Sequence, residues 1–218
     1  MYKILKRLMD LLIVIIALAI LSPFLIIVII MLAVTGEHEV FYLQQRVGYK
    51  NRLFNIWKFA TMQKDSPNIG TGEITLRNDP RVTALGKFLR KTKINELPQI
   101  INILKAEMSI VGPRPLMPVS FNLYDQGVQD IIYNSKPGLT GIGSLIFRDE
   151  EKILSEAEDP RLMYAAIYPY KGALELWYQR HASLYIDILI ITLTALSIIF
   201  PSRDFANKVF KDLPARSF

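Results

Sequence analysis

"LLIVIIALAILSPFLIIVIIMLAVTG", residues 11–36, is the stretch that decides the fold, because it contains no ionisable side chain. A helix needs only about 20 apolar residues to span a membrane, whereas the apolar part of a cleavable signal peptide covers about 7–15 residues. A domain of this size could hardly bury so long a helix that is apolar on every face. The segment therefore predicts insertion into a membrane.

The middle of this segment and its flanks indicate how it inserts. Pro23 removes one backbone hydrogen bond and crowds the preceding turn, while the Ser22 hydroxyl can satisfy the freed carbonyl. Basic residues lie on both sides of the segment, at Lys3, Lys6, Arg7, Arg46, Lys50, Arg52 and Lys58. A straight spanning helix would place one basic flank outside, against the positive-inside rule. The membrane break at Ser22 and Pro23 therefore favours a re-entrant helix that returns to its own side, with a kinked spanning helix as the alternative.

Composition limits the chemistry and the partners of the chain. Its 218 residues include no cysteine and only two histidines, His38 and His181, which excludes disulfides and thiolate metal sites and argues against a zinc site. The net charge of +6 favours anionic partners. Nucleic acid is not expected among them, because the basic cluster Lys87–Lys93 is too short for a groove-binding stripe.

The remaining segments predict a mainly α fold with a small β-hairpin. The predicted elements are a hairpin around "VGYKN" within 39–62, a loop at 64–80, helices within 81–93 and 95–108, a proline-stiffened loop at 109–118 and a glycine-rich turn region at 135–144. We expect three parts: an N-terminal re-entrant membrane helix at 1–36, a small α/β cytoplasmic catalytic domain at 37–181 and C-terminal interfacial, amphipathic helices at 182–218.

The C-terminal third is rich in aromatic residues and then apolar. Six aromatic side chains precede the run "IDILIITLTALSIIF", namely Tyr164, Tyr168, Tyr170, Trp177, Tyr178 and Tyr185. The run is short for a second span, and aromatic residues gather at the membrane–water interface. It predicts a helix that lies flat or dips partway into the membrane, with an ordinary buried helix as the alternative.

The start of the helix predicted at 95–108 carries a candidate phosphate site. Asn95 is the predicted N-cap, Glu96 lies in the first turn, Arg90 precedes them, and Arg114 lies in the rigid "GPRP" loop. Helix N-termini bind phosphate, and a carboxylate among phosphates suggests a bridging Mg²⁺. Each side chain also has a purely structural interpretation: Asn95 as a cap, Glu96 as a partner of the helix dipole, and Arg114 in a surface ion pair.

"KTKINELPQIINILKAEMSIVGPRPL", residues 91–116, resembles the signature of the bacterial sugar transferases that are monotopic polyprenyl-phosphate phosphoglycosyl transferases. Further segments resemble the same family in the same order: Lys6, Arg7 and Asp10, the "SP" break at 22–23, "QQRVG" at 44–48, "WKFATM" at 57–62 and "KPGLTG" at 136–141. The resemblance covers residues 1 to about 148. Beyond that point the chain matches only in being aromatic and apolar.

This resemblance implies a reaction at the cytoplasmic face of the bacterial inner membrane. Family members transfer a phospho-sugar from a UDP-sugar to undecaprenyl phosphate with Mg²⁺, release UMP, and so begin a lipid-linked glycan, lipopolysaccharide or exopolysaccharide. Besides Arg90 and Arg114 at the predicted phosphate site, the expected phosphate- and substrate-binding residues are Arg46 and Lys58 in the matching segments, and Arg148, which matches a family arginine. Membrane lipid is a further expected partner. A homodimer is a further expectation, because aromatic interfacial surfaces often pair.

The sequence departs from the family at the residue that carries the chemistry. The family has an Asp-Glu dyad whose Asp is the nucleophile, whereas this chain has Asn95-Glu96, and an amide cannot replace a carboxylate nucleophile. Either Glu96 or Asp149 then supplies the missing carboxylate for attack or metal binding, or the chain is an inactivated variant, or it is a binding or scaffold protein in the membrane. The acidic run Asp149–Glu151 also suits a solvated helix face.

Overall fold

A computed structural model describes residues 1–66, 79–201 and 203–216. Most of the loop predicted at 64–80 lies outside these residues. The described chain is mostly helical, with one antiparallel hairpin and one long apolar N-terminal helix. The predicted boundaries between 36 and 37 and between 181 and 182 stay a prediction.

The N-terminal helix α1 covers Tyr2–Val34 and stays helical through Pro23. The loss of one backbone hydrogen bond at a proline does not end a helix whose other bonds remain. At 1.5 Å per residue its path is about 50 Å long, more than the ~30 Å of a bilayer hydrocarbon core. It is long and apolar enough to cross a membrane.

Both halves of α1 contact the rest of the protein. Near its start, Arg7 donates hydrogen bonds to the carbonyls of Ile103 and Leu104 at 2.6 and 3.1 Å. The later residues Val28 and Leu32 pack in a second apolar cluster with Phe59, Leu89 and their neighbours. The two halves are therefore held by the same folded domain.

Much of the remaining surface of α1 is apolar and exposed. Large side chains exposed to at least about half of their area include Leu8, Leu12, Ile15, Ile16, Ile20, Ile26, Ile27 and Ile30. Exposed apolar surface on this scale indicates contact with a membrane or a partner. With the length and composition of α1, it indicates membrane association.

The predicted hairpin is confirmed. Strand β1, Phe41–Val47, pairs antiparallel with β2, Leu53–Phe59. A turn of 3₁₀ helix at Tyr49–Asn51 connects them, and Lys50 adopts a positive φ of 58° there. Because side chains alternate along a strand, Arg46 and Lys58 lie on the same face of the hairpin.

Helix α2, Ala84–Lys91, confirms the helix predicted within 81–93, and the Thr83 hydroxyl caps it by accepting from the Gly86 N–H. The helix predicted from Asn95 is partly wrong. Residues Ile94–Gln99 form a 3₁₀ helix, and only Ile100–Leu104 form an α-helix, α3.

The predicted N-cap at Asn95 is also wrong. Lys93 occupies that position in a left-handed conformation with φ 61°, and no side chain caps the turn. Asn95 lies inside the 3₁₀ helix and is buried. The segment is fixed by tertiary contacts instead: buried Asn102 accepts from the Trp57 N–H at 3.0 Å and donates to the Asn55 carbonyl at 2.8 Å.

Two segments that the sequence predicts as loop and turn contain a parallel strand pair. Strand β3, Ser109–Val111, pairs with β4, Gly138–Thr140. The two backbones approach closely, since a Cβ at Gly138 would lie 2.1 Å from the Gly112 nitrogen. The "GPRP" loop therefore follows a strand whose backbone is fixed by its close pairing with β4.

The other helices surround this pair and form the main core. They are α4 Pro118–Phe121, α5 Gln126–Ile132, α6 Ile142–Ile146, α7 Glu150–Ser155, α8 Pro160–Ala166, α9 Tyr168–His181, α10 Leu184–Ile199 and α11 Ala206–Val209. Helix α10 is half-buried: Ile190 and Leu193 face the core, while Ile188, Ile198 and Ile199 are exposed. Its predicted interfacial position and the alternative of an ordinary buried helix both stay predictions.

Candidate active site

One large cleft, of about 1120 Å³, brings the predicted site residues together. It lies among the hairpin, the 3₁₀ helix, the "GPRP" loop and the helices α6 to α10. The predicted site residues that line it are Arg46, Lys58, Arg90, Asn95, Glu96, Arg114, Arg148 and Asp149. Ser22 and Pro23 do not line it; α1 is unbroken at these two residues, and their predicted role as a membrane break stays a prediction.

Glu96 lies among cations in this cleft. Its Oε1 is 3.6 Å from a guanidinium nitrogen of Arg114. Burial opposes ionisation of the carboxyl, but Arg114, Lys58, Lys93 and Arg46 outweigh it and lower the pKa of Glu96 to about 2. Glu96 is therefore ionised at neutral pH, and its charge raises the pKa of Arg114 in return.

The shared face of the hairpin supplies two of these cations. Burial and repulsion by Arg46, Arg114 and Arg90 lower the pKa of Lys58 to about 7, against the attraction of Glu96. Burial and the charge of Arg114 lower the pKa of Arg46 to about 10. A bound anion would stabilise the charged forms of Lys58 and Arg46, so this end of the cleft suits phosphate.

The acidic run after Arg148 is paired with cations rather than simply solvated. Glu151 accepts from Arg90 at 2.7 Å, and Glu150 accepts from Lys171 at 2.6 Å. Asp149 precedes α7 and is exposed at the cleft, without a capping hydrogen bond from its side chain. Arg90 is thus engaged in an ion pair with Glu151 of the same chain. Arg114 keeps 44% of its side-chain area exposed.

Asn95 and Glu96 offer the oxygen atoms that a Mg²⁺ ion would need. The Asn95 Oδ1 is buried and accepts no hydrogen bond, and the next residue, Glu96, lines the same cleft with an ionised carboxylate. Mg²⁺ in phosphate-transfer sites needs only one or two protein ligands, since waters and substrate phosphates complete the shell. Among residues 1–66, 79–201 and 203–216, no three His, Cys, Asp or Glu side chains are grouped to hold a metal. The pair fits Mg²⁺ only together with substrate phosphates.

Buried polar atoms without a partner concentrate at this cleft. In the described part of the chain they are Arg46 Nε, Asn95 Oδ1, Ser144 Oγ, a terminal nitrogen of Arg148 and Glu175 Oε2, and all five residues line the cleft. Buried polar groups are almost always hydrogen-bonded in native proteins. Their common location therefore indicates a binding site for a polar ligand.

Comparison with known proteins agrees with this geometry. The sequence pattern of the family described as "Bacterial sugar transferase" matches residues 1–201. The chain belongs to the bacterial sugar transferase family. The exposed apolar helix and the cationic cleft are therefore features of a sugar transferase.

Named relatives of this sugar transferase act on undecaprenyl phosphate or in exopolysaccharide production. It is 32% identical over 200 residues to the UDP-N-acetylgalactosamine-undecaprenyl-phosphate N-acetylgalactosaminephosphotransferase of Aeromonas hydrophila, covering 91% of this chain and 44% of the relative. It is 33% identical over 205 residues to the undecaprenyl-phosphate glucose phosphotransferase of Komagataeibacter xylinus, covering 92% and 37%. It is 32% identical over 200 residues to the exopolysaccharide production protein ExoY of Sinorhizobium fredii, covering 85% and 81%. The chain thus spans less than half of the first two relatives.

Sequence reasoning missed two charged residues of this transferase's cleft. Lys171 and Glu175 lie one turn apart on α9, and both are buried and line the cleft. Their signal in the sequence is weak: a Lys and a Glu at spacing four within an aromatic helix usually form an exposed pair. Their burial depends on α6 and α7, which the sequence does not place.

Proposed function

We propose that this sugar transferase transfers a sugar phosphate from a UDP-sugar to undecaprenyl phosphate and releases UMP. The names of its relatives support the lipid acceptor and a sugar-phosphate product. The observation that carries the proposal is the cleft itself. It holds an ionised Glu96 under the influence of Arg114 and Lys58, while Ile191 and Ile198 of α10 add apolar wall. The cationic end matches the diphosphate of one substrate, and the apolar wall matches the lipid chain of the other.

Glu96 is the nucleophile in this proposal, in place of the family's Asp. Its carboxylate attacks the phosphorus next to the sugar, the bond from that phosphorus to the bridging oxygen breaks, and UMP leaves. The acyl phosphate that forms links Glu96 to the sugar phosphate. A phosphate oxygen of undecaprenyl phosphate then attacks the same phosphorus, which restores the carboxylate and forms the lipid diphosphate sugar. A low pKa keeps Glu96 ionised for the first attack.

The surrounding cations and amide have separate roles in this scheme. Arg114 and Lys58 face the negative charge of the transferring phosphoryl group, where electrostatic stabilisation has most effect. Mg²⁺, held by Glu96 and Asn95 Oδ1 with the substrate phosphates, would supply further charge neutralisation. Asp149 is more exposed than Glu96 and is assigned to substrate contact rather than attack.

We also propose that α1 is re-entrant and that the catalytic part lies on the cytoplasmic face of the inner membrane. Contacts of both halves of α1 with one folded domain support this placement, as do the basic flanks on both sides of the apolar segment. The exposed apolar residues of α10 support an interfacial position for the C-terminal helices. A homodimer stays a prediction, to be measured by the mass of the protein in nanodiscs.

The deciding experiment measures UMP release from a panel of UDP-sugars with undecaprenyl phosphate and Mg²⁺ in nanodiscs. The parent should release UMP with at least one donor, and Glu96→Gln should lower the rate by about a thousandfold or more. Asp149→Asn tests the alternative nucleophile, since it neutralises the other candidate carboxylate of the same cleft. It should retain activity within about tenfold.

Other outcomes of this experiment would reassign the nucleophile or the function. Loss of activity in Asp149→Asn with retention in Glu96→Gln would move the nucleophile to Asp149. A silent parent that becomes active on Asn95→Asp would identify an inactivated transferase. No release by the parent or any variant, with every donor, would contradict the transferase function and favour a scaffold. Chelation of Mg²⁺ by EDTA should stop the reaction if the metal is required.

A further inference from the structure

Glu175 lies in the wall of the cleft beside Arg114, in surroundings that its neighbours fix. It is only 3% exposed. Its Oε1 lies 3.5 Å from the backbone N–H of Arg114, which donates to it, while Oε2 has no partner. A Cβ on Gly143 would lie 2.4 Å from Oε1, so the glycine of α6 is what permits this close approach.

The carboxyl group is mostly neutral at physiological pH. Burial raises the pKa of Glu175 to about 8, although the Arg114 N–H, Lys171 and Arg114 oppose the rise. A neutral carboxyl group both donates and accepts hydrogen bonds. Glu175 therefore presents a hydrogen-bonding group to the cleft with little net charge.

The neighbours of Glu175 in the cleft wall add an uncharged hydroxyl and a lysine whose charge is balanced. Ser144 follows Gly143 on α6, lines the cleft and has a buried hydroxyl without a partner. Lys171, one turn before Glu175, is already satisfied by Glu150 and lies over the rings of Phe147, Tyr164 and Tyr168 at 5.1, 5.5 and 5.0 Å. Its charge is thus balanced, and the unsatisfied groups here are the neutral hydroxyl and carboxyl.

Arg114 joins this wall to the cationic end of the cleft. Its guanidinium faces Glu96, while its backbone N–H faces Glu175. Phosphates belong at the guanidinium end, where Arg46 and Lys58 add positive charge. When a ligand phosphate binds at the guanidinium of Arg114, a neutral, hydroxyl-bearing group bonded to that phosphate would reach the wall formed by Ser144 and Glu175. This follows because Arg114 borders both the cationic end of the cleft and that wall.

We infer that Ser144 and Glu175 form the sugar subsite of the donor and help to select which sugar is accepted. This inference rests on the proposed function. Sugar hydroxyl and acylamino groups both donate and accept hydrogen bonds, which matches one buried hydroxyl and one buried carboxyl. A site built to hydrogen-bond such groups discriminates against sugars that leave its polar atoms unpaired.

The test is equilibrium binding of UDP and of four UDP-sugars, with glucose, galactose and their 2-acetamido forms, to the full chain in nanodiscs. The parent should bind its preferred UDP-sugar about tenfold more tightly than UDP, the scale of one or two new hydrogen bonds. Ser144→Ala and Glu175→Leu should each reduce that preference by about threefold or more, with the Kd for UDP unchanged within twofold. Glu175→Gln keeps a donor and an acceptor and should retain binding.

Ser120→Ala is the matched control for Ser144→Ala. The Ser120 side chain is buried but already hydrogen-bonded to Tyr164 at 2.8 Å, outside the cleft lining. The control should leave the preference unchanged. An unchanged preference in Ser144→Ala would overturn the inference even if Glu175→Leu fails to fold, and so would a parent that binds all four UDP-sugars no better than UDP. Absence of any binding, UDP included, would instead overturn the proposed function.

Discussion

Lys58 and Glu96 lie in the same cleft, but Glu96 keeps its charge and Lys58 loses part of its charge near neutral pH. Glu96 stays ionised because several cations surround it, whereas burial, together with repulsion by three arginines, lowers the pKa of Lys58 to about 7, so that Lys58 loses part of its charge. A bound diphosphate would restore the proton on Lys58. Binding of an anionic donor should therefore take up a proton above pH 7.

The first residue-scale prediction is that affinity for a UDP-sugar falls as the pH rises from 6.5 to 8.5. The loss due to Lys58 should approach, but not exceed, about tenfold per pH unit above 7, the limit for one coupled proton. This dependence should remain in Glu175→Gln, which removes the other group that titrates in this range. Adding Lys58→Arg to Glu175→Gln should make the affinity independent of pH, because arginine keeps its charge throughout this range. Persistence of the dependence in this double variant would contradict the assignment.

Glu175 gives a second prediction, on stability. Its pKa of about 8 in the folded protein lies above the ordinary value of 4.5, so the folded state holds a proton that the unfolded state releases. Stability conferred by that proton is present below about pH 4.5 and is lost as the pH rises towards 8.

The loss should reach at most about 1.4 kcal/mol per pH unit. Comparing thermal midpoints at pH 5 and pH 7, the parent should decline more than Glu175→Gln. Glu96, whose pKa is about 2, and Lys58, whose pKa is about 7, are present in both proteins, so their contributions cancel when the two declines are compared. Equal declines in the two proteins would show that Glu175 is ionised in the fold.

Helix α1 gives the prediction at the scale of an element. If it is re-entrant, Lys3 and Glu37, at its two ends, lie on the same side of the membrane. The chain has no cysteine, so Lys3→Cys and Glu37→Cys are single labelling sites, and both native side chains are exposed. A membrane-impermeant maleimide should label both variants in inverted vesicles and neither in right-side-out vesicles.

Lys152→Cys, on the exposed surface of α7, marks the side of the catalytic part in the same assay. It should label together with the other two. Labelling of Lys3→Cys and Glu37→Cys from opposite sides would identify a spanning helix and contradict the re-entrant proposal.

The elements also show which parts of the fold a sequence can predict. The apolar run of α1 and the hairpin of β1 and β2 depend on local periodicity and turn residues, and they were predicted. Strands β3 and β4 were not, because three residues carry no periodicity and each strand exists only by pairing with a distant one. The 3₁₀ segment was mistaken for a helix start because an Asn followed by Glu and Pro also suits an N-terminal turn.

The candidate site divides in the same way. Glu96 and Arg114 lie in short motifs close to the chain's turns and were predicted from them. Glu175 was missed because its burial depends on Gly143, which lies on another helix. Its role is created by packing and not by its sequence neighbours.

At the scale of the whole molecule, a buried polar cluster joins the start of α1 to the rest of the fold. Asp187 of α10 is fully buried and accepts hydrogen bonds from Lys6, Tyr178 and Tyr2 at 2.6, 2.7 and 2.9 Å. Helix α10 in turn reaches the cleft, where Thr194 hydrogen-bonds Thr140 of β4 at 2.8 Å. The start of α1 is therefore connected to the wall of the cleft through a single helix.

The last prediction tests this connection. Lys6→Met leaves the Asp187 carboxylate buried without its cation and should destabilise the protein by about 3–5 kcal/mol, because an uncompensated buried charge is costly. The double variant Lys6→Met with Asp187→Leu removes both charges and should recover most of that loss in thermal stability. Hydrogen exchange should rise in α10 of Lys6→Met and return towards the parent level in the double variant. Lys3→Met, which removes an exposed cation from the same turn of α1, is the control and should change little. A Lys6→Met protein as stable as the parent would mean that Asp187 becomes neutral or hydrated at little cost, and that the pair is not what holds the membrane helix on the catalytic part.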